Sequence, residues 1–225
     1  TYWSQATALV QYIADQEGGF DALKGKKIYL VYHNSAYGKE PIRTLEAMAD
    51  KFGYEFRGLP VDHPGQEQKA TWLQIRKEKP DWVLMWGWGV MNQVAIKEAA
   101  SIRFPMDHFI GVWWSGSEND VLPAGDGADG YLSGAFHAGG GGFPVHDDIR
   151  KHVYDKGLGK GDRDRIGEVL YNRGMVGAMW TTEAIRKAME IHGTKEVTGK
   201  HVRDGFEALD VDEARLEELG LGGFT

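Results

Sequence analysis

Cysteine is absent from the chain. That excludes disulfides, thiolate metal sites and cysteine nucleophiles, but it fixes no compartment. Basic residues are in the minority, with 26 Lys and Arg against 33 Asp and Glu and a net charge of -7. A nucleic-acid surface would be basic, so no nucleic-acid partner is expected. No apolar run approaches the length of a membrane span. Thr1-Tyr2-Trp3-Ser4 lacks the basic start and apolar core of a signal peptide and has no initiator methionine, so this end is expected to be processed or cut.

Catalytic signatures are also scarce. Ser115 lies in W-S-G-S, not in the G-x-S-x-G turn of a nucleophile elbow. The run Gly139–Gly142 lacks the Gly-Lys-Ser/Thr of a phosphate loop. His146 and His152 are six residues apart and do not stack on one helical face, and neither has a carboxylate at ligand spacing. No metal and no cofactor are expected. Glu118, Asp120, Asp126 and Asp129 read as loop acids, with Glu118 the one placed to reach a ligand cation.

What the chain does have is an apolar fraction of 42%, enough for a core, and eight tryptophans. Tryptophan joins a large apolar body to a polar handle, which suits cores and ligand pockets alike. Periodicity predicts a helix over 5–16, with Ala6, Leu9, Val10 and Ile13 on one stripe, and a strand over 26–32. A helix over 41–52 follows, ended by Gly53, then a strand over 54–59. A helix over 66–79 should turn Ala70 and Leu73 inward. Further strands are expected at 82–86, 108–112 and 130–136, with a helix over 90–102 that puts Val90, Val94 and Glu98 or Ala99 in phase. Helical connections between strands impose parallel pairing. Residues 1–136 therefore read as a doubly wound α/β unit with a parallel sheet.

The glycine-rich run 137–144 is the best boundary in the sequence. Beyond it only helices are predicted, at 145–156, 163–191, 201–209 and 212–219. Helices without strands need a sheet to cover, so residues 137–225 are expected to be an incomplete second lobe and the chain a fragment.

Ligands of open parallel sheets bind beyond the carboxyl ends of the strands. There the sequence places Asn34, Ser35 and Tyr37, then P-V-D-H-P-G, then Trp88, then Trp113-Trp114-Ser115. Aromatic rings beside small hydrogen-bonding groups describe a cleft with apolar walls and a few polar fixing groups. Adjacent strand residues point to opposite faces, so only one of Trp113 and Trp114 should face it. Trp82 and Trp86, inside an apolar run, are expected in the core. Trp3 reads as a helix staple or a cleft wall.

The stretch IYLVYHNSAYGKEPIRTLEAMADKFGYEF resembles the second-lobe entry of type I periplasmic binding proteins of the leucine/isoleucine/valine-binding group. KPDWVLMWGWGVMNQVAIKEAA resembles the next strand and helix of that group. HFIGVWWSGSEND and GADGYLSGAF resemble its following strand, loop and return strand. YNRGMVGAMWTTEAIRKAM resembles its long helix after the chain crosses back to the first lobe. The resemblance implies a two-lobed, non-enzymatic receptor of the periplasm, monomeric when full length, that hands a small-molecule ligand to the membrane permease of an ABC transporter. It also implies hinge crossings near 1–5 and 136–140, and first-lobe strands that precede Thr1.

By the same resemblance, Tyr37 and Trp88 match ligand-lining aromatics. Trp113 falls where amino-acid receptors of the group place an acid for the ligand's ammonium. Its indole face can hold a cation, and Glu118 is the candidate substitute. The ligand is accordingly expected to be amino-acid-like, aromatic or cationic. Two rival readings are a ligand-sensing domain of a regulator with the same fold, and an α/β enzyme. The enzyme lacks any acid–base or nucleophile constellation at the strand ends.

Overall fold

The structure, a computed structural model, describes residues 1–224. The chain forms two units, Thr1–Ala135 and the residues from Phe136 onward. In the first, the elements run α1 (Tyr2–Glu17), β1 (Lys27–His33), α2 (Ala36–Lys39), α3 (Ile42–Phe52), β2 (Glu55–Val61), α4 (Lys69–Glu78), β3 (Trp82–Trp86), α5 (Val90–Ser101), β4 (Phe109–Gly111), α6 (Glu118–Val121) and β5 (Leu132–Ser133). The strands form one sheet in the order β2-β1-β3-β4-β5, and every pair is parallel.

Strand periodicity divides the core into two layers. Ile28, Leu30, Trp82, Leu84, Trp86, Ile110 and Val112 face α1 and α3. Tyr29, Val31, Val83, Met85 and Phe109 face α4 and α5. Burial on both faces explains why β3 reads as an unbroken apolar run rather than an alternation. The α1 stripe of Ala6, Leu9, Val10 and Ile13 is buried as its spacing predicts. Trp82 and Trp86 are core residues.

Helix α4 does not take the predicted phase. Trp72 and Ile75 point inward, whereas Ala70 and Leu73 are exposed. Burying an indole is worth about 4–6 kcal/mol by area against about 1.5–3 for a leucine, so the tryptophan sets the rotation. Buried Gln68 fixes it, donating from Nε2 to the carbonyls of Gly65 at 2.7 Å and Met91 at 2.8 Å while accepting from Trp72 Nε1 at 3.2 Å. Helix α5 is turned by one residue from the expected stripe, burying Met91, Asn92, Ala95, Ile96 and Ala99. The last strand is two residues long rather than the seven of 130–136. Its partner β4 ends at Gly111, leaving only the pairs Ile110–Leu132 and Gly111–Ser133 to form.

The second unit contains α7 (Pro144–Ile149), α8 (Val169–His192), α9 (Gly199–Glu207) and α10 (Glu213–Glu218), with no strand among the described residues. Helix α7 runs on into a π-turn at Arg150–Tyr154. Helix α8 starts six residues later than the 163 that periodicity predicts. Gly167 adopts φ 102° and lies against Gly141, whose Cα a side chain at 167 would strike. Buried Asn172 then holds the glycine-rich strap, its Nδ2 donating to the carbonyls of Ala138, Gly140 and Gly167 at 3.1–3.2 Å. Its Oδ1 accepts from His146 Nε2 at 2.8 Å.

Helices α8 and α9 pack closely. A Cβ on Gly205 would fall on the carbonyl oxygen of Ala184. Gly205→Ala should therefore destabilise this helix pair by about 1–3 kcal/mol, the usual cost of overpacking. Chemical unfolding monitored by circular dichroism checks this, and an unchanged midpoint would contradict the close approach.

Candidate ligand-binding site

The strand order places β1 beside β3, and their following helices leave toward opposite faces, α3 with the first core layer and α5 with the second. That divergence opens a crevice at the carboxyl ends of β1 and β3, the switch point of a doubly wound sheet. Tyr37 from the β1 loop crosses it, its hydroxyl donating to the carbonyl of Gly87 at 2.9 Å. Burial holds the Tyr37 phenol well above its ordinary pKa, with the nearby Tyr2 and Asp120 adding to the shift. It therefore stays protonated and remains a donor.

Around this bridge five rings meet in a closed circuit. Tyr2 lies 5.3 Å from Tyr37, Tyr37 6.2 Å from Trp88, Trp88 5.4 Å from Trp114, Trp114 4.2 Å from Trp113, and Trp113 6.2 Å from Tyr2. Three of these contacts are edge-to-face, at 63° to 71° between planes, the arrangement ring quadrupoles prefer. The circuit also closes by hydrogen bond, from Trp114 Nε1 to the Tyr2 hydroxyl oxygen at 3.0 Å. Trp88 is 52% exposed and stands before Gly89, whose φ of 56° with ψ of -130° suits glycine alone.

Both Trp113 and Trp114 belong to this circuit, whereas strand alternation would have sent them to opposite faces. Strand alternation no longer applies to them. The amide of Ser115 donates to the carbonyl of Val112 at 2.7 Å, so the two tryptophans occupy the centre of a tight turn, and their rings tilt together at 32°.

Beneath the turn lies a buried polar network. Asn92 is fully buried in α5. Its Nδ2 donates to the carbonyl of Trp114 at 3.0 Å and to Asp120 Oδ1 at 2.9 Å, and its Oδ1 accepts from Ser115 Oγ at 3.0 Å. Tyr131, its phenol pushed well above its ordinary pKa by burial, donates to the carbonyl of Ser115 at 2.7 Å. Ser115 is thus a buried strut. Asp120 is not a loop acid: it is buried, and its Oδ2 accepts from the amide of Ser117 at 2.9 Å and from Ser117 Oγ at 2.7 Å in a capping box that starts α6. Short polar side chains at a helix start satisfy amides that the helix itself leaves open.

The other predicted residues are placed elsewhere. Asn34 turns toward β2, donating from Nδ2 to Asp62 Oδ1 at 2.6 Å. Ser35 caps α2, accepting from the amide of Gly38 at 3.3 Å, and contacts His33 Nδ1 at 2.9 Å. Glu118 is half-buried in the first turn of α6. Trp3 is 60% exposed. Sequence reasoning missed Tyr2, although it continues the buried α1 stripe four residues before Ala6. It also missed Asn92, a polar residue on an apolar helix face. Among the described residues no group of three or more His, Asp or Glu is arranged to hold a metal ion.

A cavity of about 660 Å³ lies in the second unit, between Val145, Ile149 and Val153 on one side and Met175, Ala178 and Met179 on the other. It is a groove between helix faces. The first unit's strand ends, by contrast, bring aromatic walls and buried polar supports to one place.

A model of the periplasmic binding protein family matches residues 1–221. Among solved structures, the chain is similar to one described as an ABC transporter permease from the Pseudomonas fluorescens group, at 45% identity and a TM-score of 0.91, over 99% of this chain and 54% of that one. It is similar in fold to a branched-chain amino acid ABC transporter protein from Thermus thermophilus with bound valine, at 22% identity and a TM-score of 0.77, over 100% of this chain and 55% of that one. The same holds for a fatty acid ABC transporter substrate-binding protein from Thermomonospora curvata, at 22% identity and a TM-score of 0.74, over 100% of this chain and 54% of that one. The chain thus spans about half the length of each. No curated protein matches it.

Asn92→Ala leaves Asp120 Oδ1, Ser115 Oγ and the Trp114 carbonyl without their partner. It should cost about 1–3 kcal/mol of stability, measured by urea unfolding. A wild-type unfolding free energy would show that the network does not support the turn.

Proposed function

The chain belongs to the periplasmic binding protein family, and from that premise we propose that it is the ligand-capturing part of a solute receptor serving an ABC importer. In this reading Thr1–Ala135 is a ligand-binding lobe and the residues from Phe136 onward are part of the other lobe. The receptor holds a small amino-acid-like, aromatic or cationic solute without transforming it and passes it to a membrane permease from the periplasm. The observation that carries the reading is the closed circuit of Tyr2, Tyr37, Trp88, Trp113 and Trp114 at the switch point of the sheet.

Chemistry supports capture rather than catalysis. The hydroxyl of Tyr37, the indole N–H of Trp114, the hydroxyl of Ser115 and both oxygens of Asp120 are engaged in holding loops together. The serines near the circuit that meet a base, Ser35 at His33 Nδ1 and Ser117 at Asp120 Oδ2, each cap a helix start. Rings locked to one another lose little freedom when a solute arrives, so their contact area converts efficiently into affinity.

A thermal-shift screen of the full-length protein against amino acids, aromatic acids and quaternary amines tests the reading, because a binder raises the melting temperature by mass action. Trp88→Ala and Trp113→Ala should each weaken binding of the solute found by about 1–3 kcal/mol, the loss of aromatic contact area. Wild-type affinity in both variants, by calorimetry, would remove the site from this edge.

A further inference from the structure

We propose, resting on the receptor reading above, that the solute is an aromatic carboxylate without an ammonium group, and that Tyr2 is the residue that selects it. The polar handles of the ring circuit decide this. The Tyr37 hydroxyl is committed to the carbonyl of Gly87, and the Trp114 indole N–H to the oxygen of Tyr2. Tyr2 is therefore an acceptor within the circuit. Its own proton meets no acceptor among the described residues, and the side chain is only half-buried. The Tyr2 hydroxyl thus offers a solute a hydrogen-bond donor beside the indole N–H of the exposed Trp88, and donors call for an acceptor such as a carboxylate oxygen.

An ammonium group finds the opposite situation. Asp120 is the buried carboxylate at this edge, and its oxygens already accept from Asn92 Nδ2, the Ser117 amide and Ser117 Oγ. Taking it over would break three hydrogen bonds and uncap α6. Glu118, the half-buried carboxylate in the first turn of α6, is the group through which an amino acid would have to be held, and it enters the test for that reason. A quaternary amine could use the indole faces, but it would meet the positive end of the Tyr2 hydroxyl and leave that proton unpaired.

Ring shape follows from the walls. Edge-to-face contacts at 63° to 71° extend naturally to one more ring against the exposed indole of Trp88. A flexible chain would instead lose rotational freedom on binding to a rigid surface.

The test is calorimetric titration of the full-length protein with four probes: benzoate, cyclohexanecarboxylate, phenylalanine and phenyltrimethylammonium. Benzoate should bind most tightly. Tyr2→Phe should weaken benzoate about 10–100-fold, as loss of a hydrogen bond to a charged group does, and should shrink its preference over phenyltrimethylammonium. A purely structural role for Tyr2 would weaken both probes alike and leave that ratio unchanged. The wild-type ranking keeps the proposal falsifiable if Tyr2→Phe fails to fold. Tighter binding of phenylalanine, lost in Glu118→Gln, or of phenyltrimethylammonium would overturn the solute class and leave the receptor reading intact. Binding of no probe would overturn the class too, and the receptor reading would then stand or fall by the broader thermal-shift screen.

Discussion

The reversal of strand order between β1 and β3 is the constraint on which the site depends. Right-handed parallel crossovers place α3 on one face of the sheet and α5 on the other, so the two loops leaving adjacent strands part company at their carboxyl ends. A gap must form there. Backbone groups that would otherwise face it need partners, and the Tyr37 hydroxyl supplies one for the Gly87 carbonyl. The same bond pins the β1 loop to the β3 loop and fixes the Tyr37 ring at the centre of the crevice. Trp88 and the tryptophan pair then assemble around a ring that cannot move away.

Rigidity at this edge comes from below as well. Asn92 reaches from a buried helix face to the Trp114 carbonyl, Asp120 and Ser115. Tyr131 reaches the Ser115 carbonyl from the neighbourhood of the short edge strand. Buried polar networks of this kind are costly when incomplete and stiffening when complete. Here the network positions the turn 112–115, and the turn in turn places two indoles side by side where a strand would have separated them. Loops that carry ligand contacts are usually the mobile part of a fold, and this one is tied to the core through the Trp114 carbonyl, the Ser115 hydroxyl and the Ser115 carbonyl.

Much of the fold was legible in the sequence because the parallel sheet imprints itself twice, as apolar runs in the strands and as stripes in the helices. Ala6, Leu9, Val10 and Ile13 are buried as their spacing predicts, and β3 spans the predicted 82–86. The failures have local causes. The phase of α4 follows Trp72 and the Gln68 amide, a competition between a large ring and a smaller apolar pair that periodicity does not weigh. The start of α8 follows the contact of Gly167 with Gly141, a tertiary event. In the candidate site, Tyr37, Trp88, Trp113 and Trp114 could be read from their place after strands. Asn34 and Ser35, chosen by the same logic, hydrogen-bond to Asp62 and to the start of α2. Tyr2 could not be found that way, since it reaches the strand ends from the start of a helix that precedes every strand.

Solute capture, as proposed, takes place at the carboxyl edge of the first unit's sheet. Hydrogen–deuterium exchange of the full-length protein, with and without a bound solute, tests it without altering a residue. The solute should slow exchange in the backbone around 33–38, 86–92 and 112–120 together, as one cooperative patch. Binding that leaves all three segments exchanging at their free rates would contradict it.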